Sequence, residues 1–294
     1  MDAARQMENA KRAAASLAAL AEGNSLVVTH GNGPQVGLLA LESGTSGVSG
    51  RYPLDVLGSE SQGMVGYLLE LALRNAIPDR AIATVLSQVV VDAADSAFSR
   101  PTKPIGPVYN EVEGRELAAQ GWVMAADGAG VRRVVPAPEP LSILELPAIR
   151  ALLAADVVTI SAGGGGVPVV RDASGELRGI EGVVDKDLTA ALLAIELGAD
   201  ALLLLTDVDA VWEQWGAPRS RKLRAASSRT MRRMALEPGS MGPKVEAAAR
   251  FAEATGGIAA IGSLDGAAGV LNGTAGTRVL QGAGGTHYWE ETDE

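Results

Sequence analysis

Short apolar runs that stop at glycine and resume at helical spacing recur along this chain, and that alternation constrains the fold more than any other feature. From Asp2 to Ala21 the apolar positions Met7, Ala10, Ala14, Leu17 and Leu20 return every three or four residues before Gly23, the pattern of an amphipathic helix with a glycine stop. Ser25 to His30 reads as a buried strand running into Gly31-Asn-Gly-Pro34, where glycines turn the chain and Pro34 suits the first turn of a helix. Further strands are expected over Ala81–Val91, Asp156–Ser161 (followed by Gly163-Gly-Gly-Gly166), Ala201–Thr206 and around Ala259 and Ile261. Helical patterns lie between them at Leu54–Arg74, Ser142–Ala154, Asp187–Leu197 and Lys244–Thr255. This order predicts an α/β chain, a three-layer αβα sandwich with a mainly parallel central sheet. Ligands of such sheets bind beyond the carboxyl ends of the strands, where the glycine segments fall.

Two stretches leave the rhythm. Asp92–Pro140 is proline-rich and weakly periodic, and is expected to form a small lid inserted into a single domain over residues 1–280. Residues 281–294, glycine-rich and acidic at the close, are expected to be a frayed tail. A net charge of -10 makes nucleic acid a poor partner. Cysteine is absent and the two histidines, His30 and His287, are far apart, so thiolate chemistry is excluded and no metal site is expected from protein side chains. No apolar run reaches the roughly 20 residues of a membrane span, and Met1-Asp-Ala-Ala-Arg does not resemble a signal peptide, so a cytoplasmic address is expected without a membrane partner.

Only five of the 25 basic residues are lysines: Lys11, Lys103, Lys186, Lys222 and Lys244. Where arginine is the ordinary cation, a lysine invites a reason, because its compact ammonium fits against a single phosphate oxygen in a crowded site. Lys103, Lys186 and Lys244 are each framed by turn or capping residues. Two glycine loops after strands, Gly31–Gly33 and Gly163–Gly166, can bring backbone N–H groups and a helix N-terminus to an anion. Neither is a dinucleotide fingerprint, since the first lacks an acidic strand end about 20 residues on, and neither continues as a Walker motif. The pattern therefore indicates an anion site without NAD. His30 is read as structural, and Asp185 and Asp187 both suit helix capping.

Together, Thr29-His-Gly-Asn-Gly-Pro-Gln-Val-Gly37, Gln88-Val-Val-Val-Asp92, Pro101-Thr-Lys-Pro-Ile-Gly-Pro107, Val134-Val-Pro-Ala-Pro138, Thr159-Ile-Ser-Ala-Gly-Gly-Gly-Gly166, Val184-Asp-Lys-Asp187, Thr206-Asp-Val-Asp209 and Gly239-Ser-Met-Gly-Pro-Lys244 resemble the carbamate kinases of the amino-acid kinase superfamily. The resemblance implies the amino-acid kinase fold and reversible phosphoryl transfer between ATP and carbamate, giving ADP and carbamoyl phosphate, with Mg²⁺ on the nucleotide phosphates. It further implies that Gly31, Asn32 and Gly33 hold the carbamate, that Lys103 reaches in from the lid, and that Gly163, Gly164 and Gly165 border the phosphoryl group. Lys186 and Lys244 would neutralise phosphate oxygens and Asp187 would orient them, while Thr206, Asp207, Val208, Asp209, Met241 and Pro243 would line the nucleotide pocket. Homodimers are usual in the family.

The resemblance also carries a departure. Carbamate kinases open with a strand and a Gly-Gly-Asn loop ahead of the first helix, and no Gly-Gly-Asn stands before Ser25 here. A sheet without that strand is expected to hold a groove, and the 294-residue chain to be slower than a relative that has both strand and loop. A kinase of another small carboxylate on the same fold, and a catalytically silent nucleotide-binding paralogue, remain open alternatives.

Overall fold

The computed structural model describes residues 2–45, 52–234, 241–282 and 285–290. The opening helix α1 (Ala3–Ala21) is capped by Asp2, whose side chain accepts from the Ala4 N–H, and buries Ala10, Ala14, Leu17 and Leu20. Strand β1 (Val27–Val28) leads through the first glycine loop into α2 (Gly33–Thr45), and α3 (Leu54–Ala76) packs along α1. The apolar run expected as one strand over 81–91 is two, β2 (Ile82–Thr84) and β3 (Gln88–Val90), which join different sheets. The chain switches sheets at Ser87, whose N–H donates to Gln62 Oε1 and whose carbonyl accepts from both Gln62 Nε2 and the Val167 N–H, so a buried amide of α3 takes one side of the ladder there.

An antiparallel sheet then leaves the body: β4 (Lys103–Tyr109), α4 (Glu111–Ala119), β5 (Met124–Asp127) and β6 (Gly130–Val135), ordered β4-β6-β5. Its inner face is pinned by Ile105 and Val135, which pack with Val36, Ala40, Leu54 and Leu57 of the first helices. Here the backbones of two glycines touch: a Cβ on Gly37 would fall 1.9 Å from Gly106 Cα. No larger residue allows β4 to sit this close to α2.

The return strand β7 (Ser142–Ile143) pairs with β3, which corrects the helix expected from Ser142. That helix, α5 (Leu146–Ala154), starts four residues later, because Glu145 ahead of it accepts from Gln88 N and Nε2 and ties the turn to β3. Then come β8 (Val158–Ile160), β9 (Val167–Arg171), β10 (Leu177–Gly179), α6 (Lys186–Leu197), β11 (Ala201–Thr206), β12 (Trp212–Glu213), β13 (Arg221–Ser227), α7 (Ser228–Arg233), α8 (Met241–Thr255), β14 (Ile258–Ser263), α9 (Ala267–Asn272), β15 (Thr277–Leu280) and β16 (His287–Tyr288). The tail is not frayed throughout: β16 pairs antiparallel with β13, the Trp289 N–H donates to Lys222 O, and the Arg221 guanidinium lies 3.3 Å from the Tyr288 ring centroid. Glycine content concealed the aromatic pair that docks it. Residues 291–294 lie outside the described ones.

The central layer is divided. Parallel strands β1-β8-β2 form one sheet, while β11-β14-β15-β13-β12 form another, with β11 parallel to β14 and β15 antiparallel to it. Helices α6 and α8 cover the second sheet around Phe251, Leu223, Met231 and Ile261, all fully buried. Between the edges of β1 and β11 runs an apolar cavity of about 860 Å³, lined among others by Val27, Val28, Leu203 and Leu205 and ending at Gly31 and Lys186. Because Leu26 O and Val28 O accept from β8, strand alternation turns Val27 and Thr29 toward the cavity. Asp200 O accepts from β14, so Leu203 and Leu205 turn toward it from the other side. The groove expected in the sheet is therefore present, bounded by two unpaired strand edges.

Candidate active site

The site is built from the first turn of α6 outward. Asp185, in an extended conformation (φ -71°, ψ 120°), caps the helix: its Oδ1 accepts from the Asp187 N–H at 2.9 Å and the Leu188 N–H at 3.3 Å. Asp187 then stands in the first turn, where a carboxylate is favoured by the helix dipole. Its Oδ1 accepts from Lys186 Nζ at 3.1 Å and its Oδ2 from Lys244 Nζ at 3.0 Å. Lys244 comes from the first turn of α8, so the positive ends of two helices meet at one carboxylate. Lys103, the first residue of β4, reaches the other: its Nζ lies 2.5 Å from Asp185 Oδ2.

Three ammonium groups thus share two carboxylates, leaving one cation in excess at a point where two helix N-termini converge. Burial works to raise the Asp185 pKa, but the Lys103 ammonium and the two backbone donors outweigh it and hold the carboxyl below the usual carboxylate range. Lys244, 3% exposed, moves the other way: burial first and the neighbouring Lys186 charge second lower its pKa, against the attraction of Asp187. A buried, over-positive cluster of this kind is relieved by an anion.

Facing it are the glycine loops. After β8 the chain enters the left-handed region at Ala162 (φ 50°) and returns to positive φ at Gly164 (φ 66°) and Gly165 (φ 96°). A Cβ on Gly164 would fall 2.1 Å from the Asn32 amide nitrogen, and one on Gly165 2.3 Å from Val184 O. The two loops are bonded together: Gly164 N–H donates to His30 O at 2.7 Å. Asn32 Nδ2 donates to Ser61 Oγ at 2.7 Å, and Thr189 Oγ1 of α6 donates to Gly165 O at 2.9 Å. The Lys186 stem lies against Gly31, where an added Cβ would be 3.3 Å from its Cδ. His30 makes a 3.1 Å contact from Nδ1 to Gly31 O, and burial lowers its pKa, so the imidazole is neutral and holds the loop.

The structure therefore gathers Gly31, Asn32, Gly163, Gly164 and Gly165 with Lys103, Lys186, Asp187 and Lys244. Gly33 is less constrained: it begins α2 and has open space where a Cβ would stand. Thr206, Asp207, Val208 and Asp209 follow the carboxyl end of β11, with Thr206 Oγ1 donating to Asp207 Oδ1. Asp209 is engaged by Lys222 of β13 at 2.8 Å and by Trp212 Nε1 at 3.0 Å. Met241 packs against the core under α8 and Pro243 sits in the turn that carries Lys244. Gly239 and Ser240 of that motif lie outside the described residues.

Sequence reasoning treated Asp185 as a cap alone; the Asp-Lys-Asp spacing was the available signal, since a cap needs only one of its oxygens. Among the described residues no three Asp, Glu, His or Cys side chains gather into a metal cage, and the oxygens of Asp185 and Asp187 are already bonded. None of the described helices is long and apolar enough to cross a membrane.

Residues 2–261 match the profile of the Amino acid kinase family. A carbamate kinase from Haemophilus influenzae is 45% identical over 291 residues, covering 98% of this chain and 94% of the relative. One from Rhizobium meliloti is 48% identical over 268 residues, covering 90% and 83%. Among solved structures, carbamate kinase from Giardia lamblia bound to AMP-PNP superposes with a TM-score of 0.86 at 38% identity, covering 96% of this chain and 93% of that one. The chain thus belongs to the amino acid kinase family and, within it, to the carbamate kinases.

Proposed function

We propose that this site performs reversible phosphoryl transfer between ATP and carbamate, with Lys103, Lys186, Asp187 and Lys244 as its charged machinery. The observation that carries the reading is Asp187, whose two oxygens hold Lys186 and Lys244 side by side, with Lys186 against Gly31. In the forward direction a carbamate oxygen attacks the γ-phosphorus while the bond to the ADP oxygen breaks, and carbamoyl phosphate and ADP leave; the reverse step regenerates ATP. The ammonium groups of Lys186 and Lys244 neutralise oxygens of the phosphoryl group in flight, and the backbone of Gly163, Gly164 and Gly165 borders it. Gly31, Asn32 and Gly33 hold the carbamate and Lys103 closes over it from the antiparallel sheet, which acts as a lid. Carbamate attacks as an anion, so no general base is needed, in keeping with a neutral His30. Mg²⁺ on the nucleotide phosphates adds charge neutralisation. The loop Thr206–Asp209 with Met241 and Pro243 takes the nucleotide.

The chain works as a homodimer in the cytoplasm on this reading. Supporting the dimer is an unpaired apolar patch where Tyr67 (63% exposed), Leu71 and Leu86 line a hollow of about 420 Å³ beside α3. The testing assay is ATP synthesis from ADP and an acyl phosphate, coupled to an ATP-consuming reporter. Carbamoyl phosphate is expected to support turnover and acetyl phosphate and acetylglutamyl phosphate not. Preference for either of the others would replace the substrate, and ADP binding without turnover on any would replace the activity with a binding role.

A further inference from the structure

We infer that Asp185 is a positioning residue that fixes the lid lysine through one oxygen while capping α6 through the other. Its Oδ1 is committed to the helix, accepting from the Asp187 and Leu188 N–H groups, and this fixes the carboxylate plane. That leaves Oδ2 for Lys103, whose Nζ arrives at 2.5 Å from 82 residues away. Asp185 is 7% exposed, so the pair is held in a poorly solvated place, whereas the Lys103 side chain retains 36% exposure and needs an anchor to keep one orientation. Asp185 thereby ties the lid lysine to the same helix turn that holds Lys186 and Lys244. Its neighbour Asp187 performs the corresponding service for two lysines of the body, so one turn of helix sets all three ammonium groups.

Gly37 and Gly106 show why such an anchor acts on position. Their backbones already touch, so the sheet has little room to slide without losing both contacts. Ile105, two residues beyond Lys103, is buried beneath it. A release of Lys103 from Asp185 would therefore free the ammonium group while leaving the sheet seated.

This inference rests on the proposed role of Lys103 at the substrate, and the experiment separates the two. Asp185→Asn keeps an oxygen for capping but replaces the partner of Lys103 with an amide. Asp185→Asn, Lys103→Met and the double variant are compared in the ATP-synthesis direction, with thermal melting as a folding control. Asp185→Asn is expected to raise the KM for carbamoyl phosphate about tenfold, the scale of one charged hydrogen bond, with kcat changed less than about threefold and KM for ADP unmoved. In the Lys103→Met background the same substitution is expected to add nothing to KM, because its target is gone. Equal, additive losses in both backgrounds, or losses that track the melting temperature, would overturn the positioning role and leave Asp185 a helix cap. If Lys103→Met itself leaves KM and kcat unchanged, the substrate role of Lys103 falls and takes the inference with it.

Discussion

The two walls of the proposed active site are made on opposite principles. One is built of residues without side chains: Gly163, Gly164 and Gly165 present backbone, and a Cβ on Gly164 would strike Asn32. The other is built of long, flexible side chains, with Lys103, Lys186 and Lys244 held in place by Asp185 and Asp187. A backbone wall gets its precision from the fold, so changes to it are felt in folding as well as catalysis. A side-chain wall gets its precision from ion pairs, so changes to it can spare the fold and remove the chemistry.

The contrast is sharpest for charge. Replacing Lys186 or Lys244 with Met is expected to cut kcat by at least about 10³-fold, the scale of losing a preorganised charge at a transferring phosphoryl group. For Lys186, 36% exposed at the side chain, melting should stay within about 1 kcal/mol of wild type. A Lys186→Met enzyme that is fully active, or unfolded, breaks the comparison.

Next comes the groove beside the glycine wall. Val27, Thr29, Leu203 and Leu205 turn backbone groups into it, so an extended apolar segment there would pair on both sides. An apolar extended peptide added in trans is expected to seat in the groove and raise the melting temperature, and unchanged melting at saturating peptide would refute it.

Within the glycine wall, two substitutions should part company. Gly164→Ala meets both a φ of 66° and the Asn32 side chain, so a loss of about 1–3 kcal/mol in stability and a fall in kcat are expected. Gly33→Ala enters open space at the first residue of a helix and should be neutral or stabilising by up to about 1 kcal/mol. Denaturant unfolding with parallel rate measurements distinguishes them, and equal effects would show that the wall is not set by steric fit.

The smallest effect concerns acid. Because the folded-state pKa of Asp185 is depressed, its contribution to stability is fully present above the unfolded carboxylate value, about pH 4, and is lost as pH falls through the folded value. The stability gap between wild type and Asp185→Asn should therefore be constant near neutrality and close in acid; a gap that widens below pH 4 would reverse the sign of that linkage.

Much of this was legible one segment at a time. Glycine after an apolar run marks a turn because only glycine tolerates those dihedrals, and helical spacing marks a face, so α1, α3, α6 and the glycine loops could be read locally. The interruption at Ser87 could not, since Gln62 supplies the competing bonds from 25 residues away. Nor could the tail, whose strand depends on Tyr288 finding Arg221. For the site, a scarcity of lysine singled out three ammonium groups that the structure brings together. Their pairing was invisible, because Lys103 meets Asp185 across 82 residues and Lys244 meets Asp187 across 57.

The sequence by itself determined which residues bear charge, where the backbone can turn tightly and which faces are apolar, all of which are properties of a residue and its near neighbours. Tertiary structure alone decided that two carboxylates in one helical turn divide three distant lysines between them, and that two strand edges face each other across a groove. Those outcomes depend on distances between segments far apart in the chain, set by how sheets and helices pack rather than by any local preference.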